Sequence, residues 1–535
     1  MRIGIISVFS DHHRQGLLYR GLAQPLIGPV IASLLPEHEE IEVINDTWED
    51  PDWSRDYDLL FLSCMHPDFD RARQISHYWR TRGAKTVLGG AMATSYPNLC
   101  MPFFDAIVIG DPESTVPRIY ADFAARRLQT RYVSTPYDPA AIRPPRLKTM
   151  AHKAVVPISW KVTRGCPFTC DFCALTAIGT RFHKRPARQV ADEIDAARRS
   201  LRGVIPAHMR NFVMFYDNNI GGDPAYLKEL CIEFRRIGIK WGACITFNIV
   251  RRPELVKALS DGGCRALYVG VESFNPATIA AMNKRQNVVA EIGEVVDNCR
   301  RHGISFNTGL LVSPSHDDIA YVRALPRHLR ESGLHVPEFI TFETAFPGTP
   351  YFSRLAAGAE PGFLPNVMLR DLNGYMLTVQ PRHASPADYG AAYRDTLTEV
   401  FSPANKLRKL VDDLPRFLGN GFAIPALVDV KNMLSLSFRP YANRTYLPET
   451  ELEPPETVPL ADHDFESPEQ ARLVREPWRI SDADGKVAPM WRGAMPLFRK
   501  NGKQVVAPPP ARPGILATRS SPAPLASALD IGVAA

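Results

Sequence analysis

Three of the nine cysteines in this 535-residue chain, Cys166, Cys170 and Cys173, stand at C-x3-C-x2-C spacing. They lie in Thr163-Arg164-Gly165-Cys166-Pro167-Phe168-Thr169-Cys170-Asp171-Phe172-Cys173, where glycine and proline mark a loop. Thiolates this close can converge on one soft metal centre, and an iron–sulfur cluster is the centre that asks for them. Three local thiolates leave one iron of a four-iron cubane without protein sulfur. An open coordination position separates a catalytic metal from a structural one, a rule argued for zinc that carries over. Other readings of the triad are a zinc site, for which no fourth ligand is evident, three buried structural cysteines, and an electron-carrying cluster completed by a remote cysteine. Cys64, Cys100, Cys231, Cys244, Cys264 and Cys299 have no paired spacing and read as small core residues.

A reactive loop needs a rigid frame. Residues 155–162 just before the cysteines read as a strand, and five more strand patterns follow at 211–216, 241–247, 266–271, 305–312 and 338–344. Helical patterns at 186–201, 224–237, 253–261, 288–302 and 317–332 separate them. Six β/α units within 155–374 predict a partial (βα)6 TIM-type barrel with its chemistry at the strands' C-terminal ends. Residues 1–127 alternate on a shorter beat, with strands at 2–8, 40–44, 58–63, 86–88 and 106–109. Helices at 28–35, 68–81 and 114–127 complete a doubly wound, Rossmann-like α/β domain on a parallel sheet. Residues 128–154 read as a linker. A helical segment is expected over 375–440, with helices at 387–401 and 405–417, and substrate specificity is expected there. Its Tyr375, Tyr389 and Tyr393 could line a pocket, although the last two are also spaced as helix core. The proline-rich tail 441–535 reads as irregular or disordered.

Lysine plus arginine (63) exceeds aspartate plus glutamate (57) by 63 − 57 = 6, too thin an excess to point to nucleic acid or an anionic membrane. No apolar run reaches the roughly 18–20 residues of a membrane span. The N-terminus has no signal-peptide pattern and reads as a strand, so a cytoplasmic protein with reduced thiols is expected.

Cys166, Cys170 and Cys173, with aromatic Phe172 before the last, resemble the signature of radical S-adenosylmethionine (SAM) enzymes, and the resemblance extends over about residues 155–350. Phe215-Tyr216-Asp217-Asn218-Asn219 ends the second strand where that family places a polar motif near the SAM amino group, which implies Asp217 and Asn218. Val269-Gly270-Val271-Glu272-Ser273 is similar to the G-x-E-S segment, which implies Glu272 and Ser273 near the ribose or carboxylate of SAM. Asn307-Thr308-Gly309-Leu310-Leu311 resembles the fifth-strand motif beside the adenine. Pro347-Gly348-Thr349-Pro350 resembles a turn common in the cobalamin-using branch. Taken singly, Glu272-Ser273 is also a helix N-cap pattern and Pro347–Pro350 an ordinary turn.

Gly89-Gly90-Ala91, followed by Phe104 to Glu113, resembles the cobalamin-binding domain fused to many such enzymes, with Ser63-x-Met65 as the small residue near the corrin's nucleotide. Paired glycines let backbone approach a large ligand closely. A flavodoxin-like domain holding another cofactor, or none, is the alternative. Asp11-His12-His13-Arg14-Gln15-Gly16 fits D-x-H-x-x-G, in which His13 would ligate cobalt. A polar loop is the other reading, and His12 is the rival if the register differs.

The resemblance implies a [4Fe-4S] cluster on the three cysteines, reduced by an external flavodoxin- or ferredoxin-type donor, that cleaves SAM to a 5′-deoxyadenosyl radical. Cobalamin would then deliver a methyl group to an unactivated carbon of a small-molecule or lipid substrate. The same scaffold running an oxidation, cyclisation or rearrangement without methyl transfer is an alternative. A non-enzymatic cobalamin and redox sensor is another.

Overall fold

The computed structural model describes residues 1–9, 25–46, 49, 51–52, 54–154, 156–179, 181–364, 367, 371–419, 499–500 and 503–504. His13 and its loop, and nearly all of the expected tail, lie outside the described residues.

The N-terminal sheet contains β1 (Arg2–Ser7), β2 (Glu40–Asn45), β3 (Leu59–Ser63), β4 (Lys85–Gly89), β5 (Ala106–Ile109) and β6 (Arg131–Val133), all parallel, in the order β2-β1-β3-β4-β5-β6. Period-2 alternation explains why its strands read as unbroken apolar runs. Leu59 and Phe61 pack on one face with Ile31, Val116 and Ile119 from the helices Ile27–Ser33 and Pro112–Ala124. Leu60 and Leu62 pack on the other with Phe69, Ile75 and Trp79 of the helix Phe69–Thr81. Both faces are covered, so every position is apolar, and each such side chain contributes about 1.5–3 kcal/mol of burial. The strand order reverses at β1 and β3, which opens a crevice beyond their carboxyl ends.

The expected linker differs from its reading. It begins with β6, whose buried Tyr132 hydroxyl donates to Asp122 at 3.0 Å and accepts from the Gln129 N–H at 3.0 Å. One buried residue between exposed Arg131 and Val133 is too short a pattern to register as a strand. Farther on, Arg146 is fixed to the helix Ile27–Ser33 through its backbone N–H to the Pro29 carbonyl (2.9 Å) and its guanidinium to the Leu35 carbonyl (2.9 Å).

The second half of the fold starts with β7 (Ile158–Trp160). A short antiparallel pair, β8 (Thr163–Arg164) and β9 (His183–Lys184), then brackets the cysteine loop. Next come β10 (Phe212–Phe215), β11 (Lys240–Ile245), β12 (Cys264–Val269) and β13 (Ser305–Asn307), each parallel to its neighbour in sequence order after β7. Across Thr308 the chain continues as β14 (Gly309–Val312), which pairs in parallel with β15 (Phe339–Phe342). Alternate residues Phe215, Trp241, Leu267 and Phe306 enter the core shared with the surrounding helices. The opposite set meets in register, Met214 beside Gly242, Cys244 beside Tyr268, and Tyr268 beside Asn307.

Tyr389 and Tyr393 on the helix Pro386–Val400 are buried. Their hydroxyls donate to the carbonyls of Ser313 (3.3 Å) and Ile340 (2.6 Å), so they fasten the helix to the strands. Among the described residues, no helix is long and apolar enough to cross a membrane.

Candidate functional site

The cysteine loop is held from three sides. From β10's end, the buried carboxylate of Asp217 accepts the backbone N–H of Val162 (3.1 Å), the N–H of Thr163 and the Thr163 hydroxyl (2.5 Å). From the segment after the helix Pro276–Ala281, the Asn283 amide donates to the Thr169 carbonyl (3.1 Å), and the Met282 carbonyl accepts the Asp171 N–H (3.1 Å). From beyond β15, the Tyr351 N–H donates to the Asp171 carbonyl (3.1 Å) and Arg354 pairs with the Asp171 carboxylate. Gly348, in the Pro347–Pro350 turn, has φ +82°, and a Cβ there would stand 3.2 Å from Ala177 on the short helix Ala174–Ala177 after Cys173. That turn therefore seats the end of the cysteine loop.

Burial raises all three thiols above the ordinary cysteine range, and each responds to another of the three and to the Lys284 ammonium, which pulls it back down. The Asn219 amide donates to Cys166 Sγ at 3.7 Å and the Gln286 amide to Cys170 Sγ at 3.6 Å. Lys284 pairs with Glu272 and lies 5.7 Å over the Phe172 ring. Among the described residues, no three His, Cys, Asp or Glu side chains close around a single-ion site. Three clustered thiols, a neighbouring cation and two N–H donors to sulfur fit a cluster.

A second feature faces this loop. A cavity of about 630 Å³ is lined on one side by Ser63, Gly89, Gly90 and Gly110 at the carboxyl ends of β3, β4 and β5, and on the other by Ile178, Gly179, Arg181 and His183 after the cysteines. Gly90 has φ +96°, and a Cβ there would stand 2.6 Å from the Cys64 carbonyl oxygen. Only glycine lets the chain turn here and leave its backbone facing the cavity.

Residues 160–324 match the Radical SAM superfamily model. The chain therefore contains a radical SAM domain over those residues. It is 27% identical over 337 residues to the bacteriochlorophyllide d C-8(2)-methyltransferase of Chlorobaculum tepidum, covering 60% of this chain and 74% of that protein. It is 24% identical over 343 residues to the hopanoid C-2 methylase of Rhodopseudomonas palustris, covering 61% and 63%. Its fold is similar to that of the radical SAM methyltransferase TsrM from Kitasatospora setae, solved with cobalamin and a [4Fe-4S] cluster bound. There the TM-score is 0.55 at 15% identity, over 82% of this chain and 99% of that one.

Within the radical SAM domain, the residues expected at the SAM site divide. Glu272, just after β12, takes a left-handed conformation (φ +66°), a strain of about 1–3 kcal/mol for a non-glycine residue. Its backbone bridges to Leu310 and its carbonyl accepts the Leu311 N–H at 2.7 Å. Gly270 makes room for it, since a Cβ there would meet the Glu272 carboxylate at 2.5 Å and Lys284 Nζ at 2.6 Å. Asn307 donates to the Ser305 hydroxyl (3.3 Å), while its buried Oδ1 has no partner. Asn218 is exposed at β10's end. Two others are engaged elsewhere. Asp217 binds backbone N–H groups and shapes the cysteine loop. The buried Ser273 hydroxyl bonds with Tyr321 (2.8 Å) and accepts the Asn275 N–H (3.0 Å), and Asn275 is the actual N-cap of the next helix. Sequence reading left out Asn219, Lys284 and Gln286. Asn219 stood in the quoted motif, but Lys284 and Gln286 follow Glu272 by over ten residues and carry no spacing signal.

Proposed function

We propose that this chain is a cobalamin-dependent radical SAM methyltransferase acting on an unactivated carbon of a small-molecule or lipid substrate, with an external one-electron donor. The observation that carries the cobalamin assignment is the cavity between the glycine-lined end of the N-terminal sheet and the segment that leaves the cysteine loop. It would hold a large planar ligand directly against the cluster loop. The methyl assignment comes from the two similar proteins, both named for methylation at carbon.

When bound, the cluster supplies the electron that cleaves SAM, and cobalamin carries the methyl group. Cys166, Cys170 and Cys173 would hold the cluster through their three thiolates. Asn219 and Gln286 orient two of their sulfurs. Glu272, Lys284 and the unpartnered Asn307 Oδ1 supply complementary polar groups for SAM. Ser63, Gly89 and Gly90 floor the corrin site, in a cobalamin-binding, Rossmann-like domain over residues 1–127 and a partial barrel over 155–374. The surrounding strands exclude water from the reacting carbon.

The test is anaerobic reconstitution with iron, sulfide and hydroxocobalamin, followed by incubation with SAM bearing a deuterated methyl group. The expected outcome is 5′-deoxyadenosine together with label in the product. 5′-Deoxyadenosine with no carbon gained would establish a non-methylating reaction, and neither product would leave a sensor.

A further inference from the structure

A second cavity, of about 310 Å³, adjoins the first around Asp111, Tyr137 and Arg164. Its walls are largely apolar, with Leu26 and Val30 from the N-terminal domain and Ile142 and Pro145 from the segment that follows it. Four cations also line it, and two of them are neutralised. Arg164 pairs with Asp111 (2.6 Å) and Glu113 (2.5 Å), and Arg185 with Glu193 (2.7 Å). Arg143 reaches the Ser33 carbonyl (3.4 Å) and has no acidic partner among the described residues. Lys161, five residues before Cys166, makes no hydrogen bond or ion pair among the described residues, and burial holds its ammonium below the usual lysine range. The Tyr216 N–H donates to the Trp160 carbonyl (2.9 Å), which sets the exposed Tyr216 beside Lys161 at the strand ends.

We propose that this cavity is the substrate's anchoring subsite, and that it takes an apolar body bearing a single carboxylate, with Lys161 as the carboxylate's partner. The proposal rests on the function above only in calling that ligand the substrate. A partly buried ammonium with no direct ion pair is costly, since Asp217, Asp111 and Glu113 act on it only at longer range and the last two already pair with Arg164, and a ligand anion relieves that cost. The apolar walls suit the rest of such a molecule, and the volume lies at the low end for ligand pockets, enough for one end of it. A phosphate dianion would call for several converging donors or a backbone nest, whereas with Arg164 and Arg185 paired to carboxylates and Arg143 turned to the Ser33 carbonyl, Lys161 is left as a point charge, which suits a monoanion.

The test is titration calorimetry on the reconstituted holoenzyme with 4-phenylbutanoate and 4-phenylbutanol as probes. The acid should bind at least tenfold tighter than the alcohol. Lys161→Gln should abolish that preference and Lys161→Arg should restore part of it, with iron content and melting temperature unchanged as the check on folding. Equal binding of acid and alcohol by the parent enzyme would overturn the proposal. So would a Lys161→Gln variant that loses cobalamin but keeps cobinamide, which lacks the nucleotide phosphate, since the cavity would then hold the corrinoid's own tail. SAM cleavage by the parent enzyme is scored separately: its absence would sink the proposed function and leave the probe comparison readable.

Discussion

The N-terminal sheet end that lines the larger cavity and the cysteine site, whose outgoing segment forms the cavity's other wall, are built on opposite plans. The N-terminal end presents backbone, with Gly89, Gly90 and Gly110 and the small Ser63 at the strand ends. The end that carries the cysteines presents side chains, with three thiols, the Glu272–Lys284 pair, and the amides of Asn219 and Gln286. A large preformed ligand is bound by shape, which glycine provides. A cluster must be assembled from donor atoms, which only side chains provide. Each end should therefore fail on its own terms.

The largest effect should come from Cys166→Ala, which removes one of three ligands. Iron content and 5′-deoxyadenosine formation should fall by more than roughly 100-fold, beyond the range seen for outer-shell changes, while cobalamin is retained. Joint loss of iron and cobalamin would show that the two ends are not independent. Gly90→Ala is the converse. The new Cβ must escape the Cys64 carbonyl at 2.6 Å, at a strain of about 1–3 kcal/mol. Cobalamin retention, read by absorbance after desalting, should drop roughly tenfold with iron unchanged.

Asn219→Ala should act more gently, because it removes one N–H donor to Cys166 Sγ and leaves every ligand in place. A loss of iron affinity near tenfold is expected, at the lower edge for such partners, and an unchanged affinity in a chelator competition would exclude the amide from supporting the cluster.

The smallest effect lies behind the site. Glu343 is buried, accepts the Ser313 hydroxyl at 2.5 Å, and is pushed up to about 8 by burial. The folded protein therefore holds a proton that the unfolded chain releases near the usual glutamate value. Stability from this group is complete below that value and is lost as pH rises toward about 8. Glu343→Gln should flatten the fall in melting temperature between pH 5 and pH 8, and an identical slope in both proteins would show that Glu343 is ionised at neutral pH.

How much could be read in advance follows the same division. The cysteine loop and the strand runs before and after it were legible because spacing and periodicity are local properties. The structure's strands at Phe212–Phe215 and Phe339–Phe342 fall inside the expected runs, and Lys240–Ile245 overlaps the run expected at 241–247. β6 was not legible, since three residues with one buried tyrosine carry no period. Asp217 was found as a motif residue, but its use was not. Sequence shows a carboxylate at a strand end, and only the fold shows that the N–H groups of Val162 and Thr163 reach it first.

The amino-acid order alone determined that three sulfurs stand on one loop after a strand, and that two series of alternating strands and helices surround them, because these are statements about near neighbours in the chain. Tertiary structure alone decided which polar groups meet those sulfurs, which carboxylates are left for a ligand, and that a lysine without a direct ion pair lines a cavity beside them. Lys284 and Gln286 lie more than a hundred residues from Cys166 and Cys170 in sequence, and Arg354 lies still farther from Asp171. Contacts over such separations are fixed by how the strands pack, and no local pattern encodes them.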